Sequence, residues 1–188
     1  MKPLGKQYSD AEARGDGGFE RLPAGGYVCK IITVEDVTAK DYLNIIYDIA
    51  EGDYKGFYGD EWGKDHPFAH RFFMSYKESA LGMFKGRLRA IDESNGTEFV
   101  KEAVAGLKEQ QLVGKLVGLV IGYEEYDSDR GDTRTRSYVK AVISADRVRR
   151  GDFKIPELKK LEGEAVPAAT EHAGEAPAGF SWGDNVPF

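Results

Sequence analysis

The sequence predicts a mainly β protein: a five-stranded barrel with a helical insert between strands 3 and 4, followed by a disordered acidic C-terminal tail. Three observations carry this. Five segments of alternating or β-branched sequence are bounded by glycine, proline and Asn/Asp turns. One stretch between the third and fourth segments has apolar residues at helical spacing instead. Residues 162–188 hold five acids, no lysine or arginine, and almost no large apolar side chain before Phe180. Such a segment cannot bury enough surface to offset its ordering entropy.

The elements follow in order. Residues 1–25 form a polar, Gly-rich lead-in that ends at Pro23 and the Gly25-Gly26 turn. Strand one is Tyr27 to Glu35, rich in β-branched residues. A polar turn at Thr38–Asp41 leads to strand two, Tyr42 to Ile49, where Leu43, Ile45, Tyr47 and Ile49 share one face. Glu51 to Pro67 reads as a long loop carrying Tyr54, Phe57, Tyr58 and Trp62. Loops longer than about 12 residues without regular structure are usually functional or disordered. Strand three is near Ala69 to Lys77.

A helix then fits Ser79 to Asp92, with Ala80, Phe84, Leu88 and Ile91 inward, Ser79 as its N-cap and Asn95-Gly96 as its stop. Thr97 caps a second short helix with Val100, Val104 and Leu107 inward. Strand four runs from Leu112 to Glu125. Gly114, Gly118 and Gly122 fall on one face of it, where glycine permits sharp coiling or close backbone approach. A turn at Asp127–Asp132 precedes strand five, Thr133 to Ile143. The expected organisation is therefore a lead-in over 1–25, a domain over 26–156 and a disordered tail over 157–188. Three strands, a helical insert and two strands is the order of an OB-fold.

Net charge is −6, so the chain is not a uniformly basic nucleic-acid binder, but the tail carries nearly all of that excess. Cys29 is the only cysteine, which excludes an intrachain disulfide and a Cys-based zinc site. The N-terminus lacks the apolar run of a signal peptide, and the longest apolar stretch, Leu112 to Tyr123, is too short to span a bilayer. The expectation is a cytoplasmic protein with no membrane contact.

Strand five carries the clearest constellation. Arg134, Arg136, Tyr138 and Lys140 alternate onto one face, with Thr135, Ser137, Val139, Ala141 and Ile143 on the other. Strand three repeats the pattern with Arg71, Phe73, Ser75 and Lys77. Tyr58 and Trp62 add rings from the loop. Cations track phosphates and rings stack on bases, the combination that sequence-tolerant binding of a single strand requires. The bland alternatives are a solvated sheet face and rings that plug the barrel's open end. His66 and His70 have i, i+4 spacing, but Pro67 between them argues against a metal-binding helix. No nucleophile elbow, P-loop or distinct carboxylate pair occurs, so no catalytic residue, metal or cofactor is expected.

The tip Trp182-Gly183-Asp184-Asn185-Val186-Pro187-Phe188 resembles the C-terminal tip of bacterial single-stranded DNA-binding proteins, in which an acidic run before Ile-Pro-Phe docks into pockets on repair and replication enzymes. Here only Asp184 is acidic and Val186 stands in place of isoleucine. The body is similar to phage-encoded single-stranded DNA-binding proteins at Leu22-Pro23-Ala24-Gly25-Gly26-Tyr27, at Gly52-Asp53-Tyr54-Lys55-Gly56 and at Gly114-Lys115. The resemblance implies non-enzymatic single-stranded DNA binding in phage DNA replication or recombination, in the host cytoplasm. It implies recruitment of replication or recombination proteins through Trp182, Asp184, Val186, Pro187 and Phe188. The residues themselves leave a second reading, an interaction or recombination accessory module that binds no nucleic acid, and a third, a small nuclease with a scattered site. Homo-oligomerisation is left open.

Overall fold

In the computed structural model, the structure describes residues 21–59, 61–128 and 131–161. The expected acidic tail from 162 and its aromatic tip lie outside the described residues, as does the lead-in through residue 20. Five strands form one antiparallel sheet: β1 (Gly25–Val37), β2 (Tyr42–Ile49), β3 (Arg71–Ser75), β4 (Leu116–Asp127) and β5 (Thr133–Ile143). Their order is β3-β2-β1-β4-β5. The sheet is not closed: β3 and β5 are its two edges. The Ser137 hydroxyl of β5 donates to the Ala69 carbonyl just before β3, over 3.3 Å.

Alternation places the core. Leu43, Ile45, Tyr47 and Ile49 of β2 all point inward, as the sequence pattern requires, against Cys29, Ile31 and Val34 of β1 and Val117, Leu119 and Ile121 of β4. Phe72 and Met74 continue that face on β3. Two irregularities interrupt the period. The β1–β2 register shifts between Ile31 and Thr33, leaving Ile32 over. The β4–β5 register shifts between Val120 and Ile121, leaving Lys140 over. Strict alternation on strand five therefore fails at Lys140. Val139 and Val142 pair with the buried Ile121 and Leu119, and Ala141 moves to the opposite face with Val120.

The insert between β3 and β4 is helical. A short helix α1 (Glu61–Asp65) precedes β3, and α2 (Leu81–Asn95) follows it, burying Leu88, Ala90 and Ile91. Ser79 does not cap α2; it lies in a 3-10 turn, Glu78–Ala80, and makes no cap hydrogen bond. Gly96 ends α2 in the left-handed region at φ 66°, where glycine carries no Cβ penalty. The next helix, α3 (Phe99–Ala105), is capped by Asp92 rather than Thr97. Asp92 accepts from Phe99 N at 2.7 Å, Val100 N at 3.0 Å and the Thr97 hydroxyl at 2.7 Å. Phe99 supplies the buried ring, while Val104, expected inward, is 90% exposed. Asn95 fastens α2 to β4 by pairing its side-chain amide with both Leu116 N and Leu116 O, at 2.9 and 2.8 Å.

After β5, helix α4 (Ala145–Arg149) and residues 150–161 fold over the outer face of β1 and β4. The contact is close enough to require glycine. A Cβ at Gly118 would stand 2.6 Å from Val148 and 2.7 Å from the Ser144 carbonyl, and one at Gly122 would stand 2.9 Å from Pro156. Gly114, by contrast, sits before β4 in a turn at φ +81°. Lys159 donates its amide to Tyr123 O at 3.0 Å and accepts from Glu125 N at 2.8 Å. Residues 157–161, expected at the start of the disordered segment, thus run along β4. The expected lead-in likewise ends earlier, because Leu22 is buried in the core and accepts from the Tyr123 hydroxyl. Among the described residues no helix is long and apolar enough to cross a membrane.

Candidate nucleic-acid interface

A strand bound on a sheet needs a bare face, so coverage decides where one can lie. The inner face is core, and α4 with the segment after it covers the outer face of β1 and β4. On β5 the predicted row is largely occupied by partners. Arg136 Nε meets Glu124 Oε1 at 2.8 Å, and its guanidinium lies 5.1 Å from the Tyr126 ring. Arg134 is 3.9 Å from Asp132. The ammonium of Lys159 sits 4.1 Å from the centre of the Tyr138 ring. Lys140 is exposed at the bulge, displaced from the row the sequence pattern assigns it.

Among the described residues, the outer face of β2 and β3 presents a row of half-buried side chains. Arg71, Phe73 and Ser75 project outward between buried Phe72 and Met74. The register sets Ile46 beside Arg71, Asn44 beside Phe73 and Tyr42 beside Ser75. Tyr42 meets Phe73 edge-on at 5.2 Å between ring centres. The Arg71 guanidinium lies 4.2 Å from the centre of the Phe68 ring and 5.1 Å from that of Phe73. Phe68 is 69% exposed. Burial pulls the pKa of Arg71 down, and likewise that of Arg87, which reaches from α2 to donate to the Phe73 carbonyl. A guanidinium stays protonated in proteins even so. Lys77 is exposed beyond the end of β3 and donates its amide to the Ser75 hydroxyl at 3.4 Å. Of the predicted strand-three residues, the structure brings Arg71 and Phe73 together and leaves Lys77 apart.

The segment expected as a long open loop is instead folded by turns, α1 and a 3-10 turn, Pro67–His70. Tyr58 is therefore not an open platform. It is 5% exposed and stacks on the His70 ring, with centres 4.7 Å apart and planes 11° from parallel. Burial raises its pKa well above the usual phenol value. His70 places Nδ1 2.5 Å from Tyr47 O and Nε2 2.9 Å from Gly63 O. Trp62 falls within α1, and its side chain lies outside the described residues. Between this segment and the outer face of β1 and β2 opens a cleft of about 260 Å³. Ile32, Ile46 and Pro67 line it, with Asp48 and Lys64 as its charged groups.

Sequence reasoning missed Phe68, Tyr42 and Ile32. Phe68 has no periodic neighbour to announce it, and Ile32 is exposed because the bulge displaces it. Tyr42 alone was legible, since it shares the outward parity of Asn44 and Ile46 on strand two. The character of this face rests on the chain's own residues: no family model matches the chain, and no curated protein matches it.

Proposed function

We propose that the protein is a non-enzymatic single-stranded DNA-binding protein that holds its ligand on the outer face of β2 and β3. The observation that carries this reading is Arg71 between Phe68 and Phe73 on the outer sheet face: one cation flanked by an exposed ring and a half-buried ring. Base–aromatic stacking contributes roughly 1–3 kcal/mol per base and tolerates any sequence, while the guanidinium meets phosphate. The topology supports an OB-like barrel, since an OB-fold is a partly open five-stranded barrel that binds oligonucleotides on strands 2 and 3. The approach of β5 to the start of β3 at Ser137 and Ala69 fits such a barrel with one open seam. A setting in phage replication or recombination, and partner capture through Trp182 to Phe188, rest on the sequence resemblance. Fluorescence anisotropy with labelled single-stranded and duplex oligonucleotides at low and high salt tests the reading. Preference for the single strand, weakened by Phe68→Ala and by Arg71→Ala, is expected; preference for duplex, or no binding, overturns it.

A further inference from the structure

The cleft beside this face carries a feature suited to reading a base rather than merely holding a strand. Asp48 projects from the outward face of β2. Its Oδ1 accepts from two backbone amides, Ile49 N at 2.7 Å and Tyr58 N at 2.9 Å. Those bonds fix the carboxylate plane. Asp48 and Gly59 both line the cleft, and both hydrogen bonds that Asp48 accepts among the described residues use Oδ1. Oδ2 lies on the Gly59 side: a Cβ at Gly59 would stand 3.1 Å from it. The remaining walls are mostly apolar, with Ile32, Ile46 and Pro67 around buried Tyr58 and His70. A volume of about 260 Å³ falls just below the roughly 300–1,000 Å³ of drug-sized pockets, which suits one flat ring system.

We propose that this cleft takes a single nucleobase bearing an exocyclic amine, with Asp48 Oδ2 as the acceptor. The inference rests on the single-strand reading and adds a base preference to it. A carboxylate is an acceptor only, so it pairs with the exocyclic amine of cytosine (N4), adenine (N6) or guanine (N2), and thymine has none. Thymine offers a single N3–H between two carbonyl oxygens, which repel the carboxylate. The acid does not stand alone against the phosphates. Lys64 also lines the cleft, and Lys30 lies opposite Asp48 in the β1–β2 ladder. Ile46, which borders the cleft, is the cross-strand neighbour of Arg71, so a strand running over Phe73 and Phe68 can place its next base there.

Asp48→Asn is the informative change. Its Oδ1 still accepts from Ile49 and Tyr58, so the loop is held, while Oδ2 becomes an amide donor suited to thymine O4. Anisotropy titrations compare oligo-dC, oligo-dA and oligo-dT of one length against the wild-type chain, Asp48→Asn and Gly59→Ala. The wild-type chain is expected to favour dC and dA over dT by about tenfold, the scale of one hydrogen bond to a charged group. Asp48→Asn is expected to erase or reverse that preference while dT binding persists, and Gly59→Ala to reduce it. Equal wild-type affinities, or a preference that Asp48→Asn leaves intact, would overturn the base pocket and leave strand binding standing. Failure of all three oligonucleotides to bind would overturn both.

Discussion

Asp92 sits in the last turn of α2, yet its carboxylate accepts the backbone amide of Phe99 at the start of α3. One residue thus closes the first helix's neighbourhood and caps the second. Helix N-caps are worth about 0.5–2 kcal/mol. Asp92→Ala is expected to lower stability by about 1–2 kcal/mol in urea titration, and Asp92→Asn by less, because an amide oxygen can still accept. Thr97→Ala, which removes only a donor to Asp92, should cost less than either.

Phe68 is largely exposed and lies against the Arg71 guanidinium, so Phe68→Ala should leave the melting temperature nearly unchanged. Its expected cost falls on oligonucleotide affinity, about 1–3 kcal/mol. Thermal melts and anisotropy on the same preparation separate the two. Equal loss in both would place Phe68 among the structural residues.

Salt dependence compares the two cationic strands. Each phosphate contact on a single strand contributes about 0.7 to the slope of log K against log salt. Arg71→Ala should flatten the slope by about that much. Because Arg136 already pairs with Glu124 and Arg134 lies near Asp132, Arg134→Ala with Arg136→Ala should change it less than two full contacts would.

Gly118 faces Val148 and the Ser144 carbonyl across a gap with no room for a methyl group. Gly118→Ala is expected to destabilise by about 1–3 kcal/mol, the usual cost of overpacking. Gly82→Ala, on a helical glycine whose Cβ would meet nothing within 4 Å, should instead be neutral or stabilising by up to about 1 kcal/mol. Chemical denaturation of both variants makes the comparison.

Glu51 is held below the ordinary carboxyl value of 4.5, chiefly by its hydrogen bond with Arg149. A carboxylate depressed in the folded state stabilises above its unfolded pKa, and that contribution is lost as pH falls through the folded one. The pair is solvent-exposed, so Glu51→Gln should cost only about 0.5 kcal/mol at pH 7. The difference between wild-type and variant melts should shrink steadily below pH 4.5 and vanish once Glu51 is protonated in both states.

Much of the fold was legible because alternation and glycine positions report directly on faces. Leu43 to Ile49 marked the inner side of β2, and of the two roles open to the β4 glycines, sharp coiling or close backbone approach, Gly118 and Gly122 take the second. The failures share a cause: each depends on a residue outside the element's own pattern. The bulge at Lys140 follows from β4's registry, not from strand five's own pattern. Asp92 outbids Thr97 as a cap because the α2–α3 connection brings its carboxylate to the Phe99 and Val100 amides. Of the site, Arg71 and Phe73 were visible as an alternating pair. The burial of Tyr58 was not, because it depends on His70 folding beneath its ring.

The two-sided pairing of β1 also sets a schedule. Its later residues, from Cys29 to Val37, pair with β2, close in sequence, whereas its earlier residues, from Gly25 to Lys30, pair with β4, so that Tyr27 lies beside Leu119. During synthesis the β1–β2–β3 meander can form as soon as it leaves the ribosome, but one edge of β1 must wait, unpaired, for the helical insert and β4 to emerge. Long-range pairing of this kind slows folding and exposes a sticky edge in the meantime. The nascent chain is thus most vulnerable to aggregation between emergence of β3 and arrival of β4, the interval in which a chaperone would have most to protect.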